Sequence, residues 1–285
     1  MLYTISGNNA NFCHFSTDVR TMRVTVDDAT IDVLTEGSGD PIVLIHGFPL
    51  TREVWDVQAA QLAPHMRVIR PDVRGLGRSS VPEGPYLMET LAGDVAAVLD
   101  ALAIDRAAIV GHSLGGYIAM AFCRMYTERV TRLALVCSRL AADTPQAAKA
   151  REELADRAER EGRIDAITDS YVPRQFSPSL LEKRSPLIDR ARTMARENTV
   201  TGVAALLRGM AQRVGAYDIA EDLRMPVLIV AGAADQVVGL AEAEEMRRAF
   251  PQGELRVLGH SGHLPMLEEP EALGDLLLAF MKAGR

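Results

Sequence analysis

The chain has 285 residues, 48% of them hydrophobic and 24% charged, the balance of a soluble globular protein with a sizeable core. Its net charge of −7 and pI near 5.5 deny it the basic face that non-specific nucleic-acid or anionic-membrane binding needs, so neither partner is expected. There is no apolar stretch of bilayer-spanning length and no basic-then-apolar leader pattern, and the three cysteines (Cys13, Cys123, Cys137) lack metal-ligand spacing and leave one unpaired, which points to reduced thiols and a cytoplasmic protein.

Residues 1–21 are polar and unperiodic and read as a loosely packed N-terminal extension. From Met22, "MRVTVDDATIDVLTEG" alternates as two short strands around an Asp-Asp turn. "PIVLIHGFP" is a continuous apolar run, as a strand buried on both faces requires. A helix follows over Val54–Leu62, then a strand over Arg67–Arg70 and a glycine-rich loop, "RGLGRSS". Met88–Leu102 carries apolar residues at helical spacing, "AAIVGHS" reads as a strand, Leu114–Tyr126 as a helix, and "VTRLALVCS" as a strand ending at Ser138. Alternation with short links predicts a mostly parallel sheet covered on both faces.

The rhythm breaks from Arg139 to Arg213, where helix-like runs at Gln146–Glu161, Leu180–Glu197 and Thr201–Arg213 are punctuated by Gly162, Pro173, Pro178 and Pro186. It resumes with "PVLIVAG" (226–232), a helix at Leu240–Phe250, "ELRVLG" (254–259) and a final helix from Glu271. A helical block, 139–213, is thus inserted into a core formed by 22–138 and 214–285.

"GHSLGG" (111–116) falls at a strand-to-helix junction, at the sheet edge where α/β proteins bind ligands. Ser113 on so tight a turn needs small neighbours, which Gly111 and Gly115 supply, and the helix N-terminus behind it offers free N–H groups. Alone, the motif is equally a small-residue turn with a capping serine.

With its companions the sequence resembles the α/β-hydrolase fold superfamily over nearly all of the chain after Met22. "HGFP" (46–49) is similar to that family's oxyanion loop, "DVRGLGRS" (72–79) to its D-x-R-G-x-G-x-S loop, and "GHSLGG" to its nucleophile elbow. "AGAADQVV" (231–238) matches its acid loop and "GHSGHLPMLEEP" (259–270) its histidine loop. The resemblance implies an eight-stranded, mostly parallel α/β sheet with a helical cap. It also implies Ser113 as nucleophile, His263 as base and Asp235 as the acid that orients it, in hydrolase chain order. The backbone N–H groups of Phe48 and Leu114 would form the oxyanion hole. No cofactor and no metal is implied.

Each role has competitors. His260 lies three residues before His263 but still at the strand's end; His46 and His112 read as packing residues, and His14 and His65 as irrelevant. In some relatives the acid follows the strand that here ends at Ser138, but no acid appears there until Asp143; Asp72 is expected to tie down the 72–79 loop. "RGLGRS" lacks the Lys-Ser/Thr of a phosphate loop. Glu244–Glu245 and Glu268–Glu269 read as solvated helix positions.

A serine rather than an aspartate at the elbow argues for acyl transfer to water. The nearest look is that of 3-oxoadipate enol-lactonase-like hydrolases and small carboxylesterases acting on a small ester or lactone. C–C bond hydrolases, perhydrolases and small-molecule receptors of the same fold stay open. Pro49, Trp55, Tyr117, Arg139, Leu140, Phe176, Val238 and Leu264 are the expected pocket residues; Arg139 either meets a substrate carboxylate or is an ordinary surface arginine.

Overall fold

A computed structural model describes residues 19–283. Its eight strands are β1 (Arg20–Val26), β2 (Ala29–Glu36), β3 (Pro41–Ile45), β4 (Arg67–Pro71), β5 (Ala107–His112), β6 (Val130–Val136), β7 (Val227–Gly232) and β8 (Gly253–Leu258). They form one sheet in the order β1-β2-β4-β3-β5-β6-β7-β8, antiparallel at β1–β2 and β2–β4 and parallel elsewhere. The strand order reverses between β3 and β5, so their carboxyl ends open the crevice in which such sheets place ligands.

Side-chain alternation divides the core in two. Val43, Ile45 and Ile109 point into one layer, covered by α2 (Met88–Ala101) and α3 (Leu114–Tyr126). Ile42, Leu44 and Val110 point into the other, covered by α1 (Asp56–Leu62) and the C-terminal helix, Pro270–Lys282. The central strands are buried along their whole length, which is why they read as continuous apolar runs.

Between β6 and β7 the chain builds α4 (Pro145–Glu161), a π-helical turn (Ile167–Tyr171), α5 (Val172–Arg174), α6 (Pro178–Glu182), α7 (Pro186–Arg196) and α8 (Val200–Ala211). After it come α9 (Tyr217–Ala220), α10 (Leu240–Ala249), α11 (Pro265–Glu268) and α12, the Pro270–Lys282 helix.

Most boundaries fall within two residues of the sequence expectation, and three differences have a clear physical cause. β1 begins at Arg20, inside the stretch expected to be loose; its exposed, polar start on an edge strand carries no alternation to read, and residues 1–18 lie outside the described residues. The run Leu180–Glu197 is two helices, because Arg184 takes a left-handed conformation (φ 47°) and Pro186 opens a new first turn. β6 ends at Val136, since Cys137 also turns left-handed (φ 47°).

The strand–turn–helix at β5–α3 packs backbone on backbone. A Cβ on Gly115 would sit 2.8 Å from the Ile45 carbonyl carbon and 3.0 Å from the His46 oxygen, neither of which can rotate away. Gly115→Ala is therefore expected to destabilise the fold by about 1–3 kcal/mol despite alanine's better helix propensity, read as a lower denaturant midpoint with unchanged m-value.

Candidate active site

Ser113 occupies the N-cap of α3 with φ 50° and ψ −111°, a conformation that few non-glycine residues adopt. The turn is held from all sides. Ser113 N–H donates to Val136 O (3.0 Å), and its carbonyl accepts from Gly116 N–H (2.9 Å) and the Ser138 hydroxyl (2.9 Å). Gly111 is packed against the backbone of Gly115 and Gly116, as the spacing of the motif requires. The resulting elbow presents Oγ at the sheet edge, yet Ser113 keeps only 7% of its surface exposed.

His263 lies on the loop after β8 with Nε2 2.9 Å from Ser113 Oγ and Nδ1 2.8 Å from Asp235 Oδ2. A carboxylate only accepts, so Nδ1 carries the proton and bare Nε2 accepts from the serine hydroxyl. Asp235 follows β7, and its other oxygen accepts from Val237 N–H (2.7 Å) and Val238 N–H (3.0 Å). Burial works to raise its pKa, but the imidazole and these donors outweigh it and hold the carboxyl below its usual range. The sequence-expected Ser113, His263 and Asp235 are thus brought into one hydrogen-bonded chain, whereas His260 is exposed on the far side of the loop.

His112 and His46 serve the scaffold. His112 donates from Nε2 to His263 O (2.9 Å), and burial, then the neighbouring His263, holds its pKa well below the usual value, so it stays neutral. His46 donates from Nδ1 to Gly47 O (3.1 Å) and accepts Val73 N–H at Nε2 (2.9 Å). Asp72 accepts from Arg52 N–H (2.9 Å) and Arg78 N–H (3.1 Å), tying the 72–79 loop to the turn after the 46–49 loop.

Glu268 and Glu269 are half-buried and hydrogen-bonded rather than freely solvated, contrary to expectation. Glu268 accepts from Gly262 N–H and Ser177 N–H (both 2.9 Å), and Glu269 from His260 N–H (2.8 Å) and the Ser261 hydroxyl (2.7 Å). Because α11 is a single turn, the chain reverses and aims both carboxylates back at the histidine loop.

Leu114 N–H, at the first position of α3, has no acceptor in its own helix, and Phe48 and Leu114 belong to the same apolar cluster. The expected pocket residues divide between the two core layers: Tyr117 and Leu140 join Phe48 and Leu114, while Phe176 and Leu264 lie in the other layer. Pro49 is buried, and Val238 packs by the acid loop. Trp55 sits fully buried, edge-on to His112 with ring centroids 6.5 Å apart. Arg139 is neither free nor an ordinary surface residue: it donates to Val237 O and pairs with Glu242 (3.1 Å), bracing the acid loop.

Several residues at the site carried no sequence signal. Gln175 and Asn198, both buried in the insertion, donate to Phe48 O (3.0 Å) and Pro49 O (2.7 Å). Cys137, Asp235 and His263 each bring one potential metal-ligand atom within 4.8 Å of the others, but the Asp235 and His263 atoms are already joined by their hydrogen bond.

Residues 40–270 match the family model for the alpha/beta hydrolase fold, and the chain belongs to that family. It is 28% identical to 3-oxoadipate enol-lactonase 2 of Acinetobacter baylyi over 264 residues, covering 91% of this chain and 96% of that one. Among solved structures it is similar to a malate-bound thermophilic esterase from Thermogutta terrifontis (34% identity, TM-score 0.87, 92% and 98% of the two chains). It is also similar to the enol-lactonase of Burkholderia xenovorans LB400 (25% identity, TM-score 0.84, 91% and 99% of the two chains). Among the described residues no helix is long and apolar enough to cross a membrane.

The strain at Ser113 is separable from its chemistry. Ser113→Gly and Ser113→Ala both remove the hydroxyl, but glycine accepts φ 50° freely. The glycine variant is expected to be about 1 kcal/mol more stable than the alanine variant by chemical denaturation.

Proposed function

We propose that this chain is a serine hydrolase that cleaves a small carboxylic ester or lactone through an acyl-serine intermediate. The observation that carries the reading is the Ser113–His263–Asp235 chain of hydrogen bonds, 2.9 and 2.8 Å, ending on a serine held at positive φ. His263 Nε2 takes the hydroxyl proton as Oγ attacks the acyl carbonyl. Asp235 stabilises the imidazolium without leaving its two backbone donors. The tetrahedral oxyanion is received by the N–H groups of Leu114 and Phe48. His263 then returns the proton to the leaving alkoxide, and water repeats the cycle on the acyl-serine. Its Nε2 already faces Oγ, so no rearrangement of the base is needed. The enol-lactonase and esterase relatives agree in reaction class.

The substrate is small, because Ser113 is nearly enclosed and the helices of 139–213 act as its cap. It also carries a negative charge. At the root of the cap, Asp143 accepts from both Arg151 and Arg213 (2.9 Å from the latter), leaving one positive charge in excess. The Arg213 guanidinium lies 4.0 Å over the ring of Tyr117, one helical turn from Ser113. Asp143 and Arg213 side chains are 3% and 2% exposed, whereas Arg151, in the same cluster, keeps 24% of its side chain open and its Nη2 has no partner among the described residues. A carboxylate on the substrate would neutralise this group, a part for which the sequence offered Arg139 as one alternative.

Hydrolysis of 4-nitrophenyl esters from acetate to decanoate, with Ser113→Ala alongside, tests the reaction class. Turnover is expected to peak at short acyl chains and to fall at least about a thousandfold in Ser113→Ala, with Asp235→Asn close behind. Absence of turnover at every length in folded protein would instead favour a C–C hydrolase, or a receptor that shifts its Tm on binding its ligand. The charge is tested by comparing 4-nitrophenyl hemisuccinate with 4-nitrophenyl butyrate. The wild type is expected to prefer the anion in kcat/KM, and Arg151→Met to lose that preference by about tenfold or more.

A further inference from the structure

We infer that Gln175 and Asn198 are positioning residues, and that the inserted helices assemble the oxyanion loop rather than merely cover it; the inference rests on the serine-hydrolase reading. The loop 46–50 contains three successive carbonyls, and each is held. Gly47 O accepts from Leu50 N–H (2.9 Å) and from His46 Nδ1 (3.1 Å), both within the loop. Phe48 O accepts from Gln175 Nε2 (3.0 Å) and Pro49 O from Asn198 Nδ2 (2.7 Å). The two donors lie 127 and 149 residues along the chain from their acceptors, one after α5 and one after α7. The Phe48 N–H shares one rigid peptide plane with Gly47 O, which the loop itself holds, and fixing the next two carbonyls from the insertion leaves that plane little freedom to turn away from the serine.

Both residues are also tied to other segments. Asn198 Oδ1 accepts Gly77 N–H (2.8 Å), and its Nδ2 also lies 3.3 Å from Met194 O and 3.2 Å from Ala195 O, the last turn of α7. Gln175 does more: its backbone carbonyl accepts His263 N–H at 2.7 Å. One residue of the insertion therefore grips the oxyanion loop through its side chain and the base's loop through its backbone. Gln175 is fully buried with Oε1 unpaired among the described residues, a placement that packing alone would give to an apolar side chain. The Phe48 ring, 6.1 Å from that of Tyr171, packs the same loop against the same insertion.

The test measures kcat, KM and inhibition by butylboronic acid, whose adduct with a serine is tetrahedral, for wild type, Ser113→Ala, Gln175→Met, Asn198→Ala and the double variant. The reaction-class reading fails by itself if wild type shows no Ser113-dependent turnover and no Ser113-dependent boronate inhibition. Given wild-type turnover, each single variant is expected to lose about 10- to 100-fold in kcat and in boronate affinity, with KM within about threefold of wild type. The double variant is expected to lose less than the product of the singles, because both hold one loop. Folded variants that keep kcat and boronate affinity overturn the inference. Hydrogen exchange supplies a readout that survives lowered stability. Faster exchange confined to 46–50 in either variant is expected, whereas uniform acceleration across the core would mean a packing role and sink the proposal.

Discussion

One backbone torsion governs the carboxyl edge of this sheet. Ser113 sits at φ 50° because β5 must turn into α3 within a single residue, and the surrounding pieces serve that turn. Gly111 and Gly115 are there because no Cβ fits between crossing backbones. Ser138 donates to the Ser113 carbonyl across the space that Gly116 leaves by lacking a side chain. The strain stored in the turn is small beside the whole fold, but it points Oγ out of the sheet and leaves the first N–H of α3 beside it.

Around that fixed point His263, the proposed base, is placed by backbone rather than by bulk. Each part of the loop carrying His263 is answered by a specific acceptor or donor: Glu268 and Glu269 on its own following turn, His112 on the elbow strand, Gln175 on the insertion. Burial keeps His112 neutral, so it fixes a carbonyl next to the base without setting a second charge against the imidazolium that acyl transfer would form. Arg139 gives the acid loop the same kind of support from outside.

The strands and elbow were legible in the sequence because they obey local rules. Both-face burial writes itself as "PIVLI" or "VLIVAG", and close backbone contact writes itself as glycine. Ser113, Asp235 and His263, which the structure joins by hydrogen bonds, could be singled out because each lies in a motif resembling the hydrolase family's, on a segment that follows a strand. Gln175 and Asn198 could not, since a buried amide that reaches a carbonyl more than a hundred residues away leaves no periodic trace. Glu268 and Glu269 were misread for a related reason: acidic residues in a helical stretch look solvated until a one-turn helix folds them back. Arg139 was expected at the active-site edge from its place after a strand end, and its guanidinium finds partners in Val237 O and Glu242 that the sequence does not signal.

The insertion leaves the sheet at the end of β6 and returns at the start of β7, neighbouring strands in the sheet. By topology alone it is a module, able to be exchanged for another of different shape without disturbing strand order. The hydrogen bonds across its underside narrow that freedom. A replacement that filled the same volume but brought no donor to Phe48 O and Pro49 O, and no acceptor to His263 N–H, would give a well-folded protein with a loosened oxyanion loop. Sequence change in the insertion is therefore freest on its outer surface. It is most restricted at the few polar atoms where the cap meets the 46–50 loop.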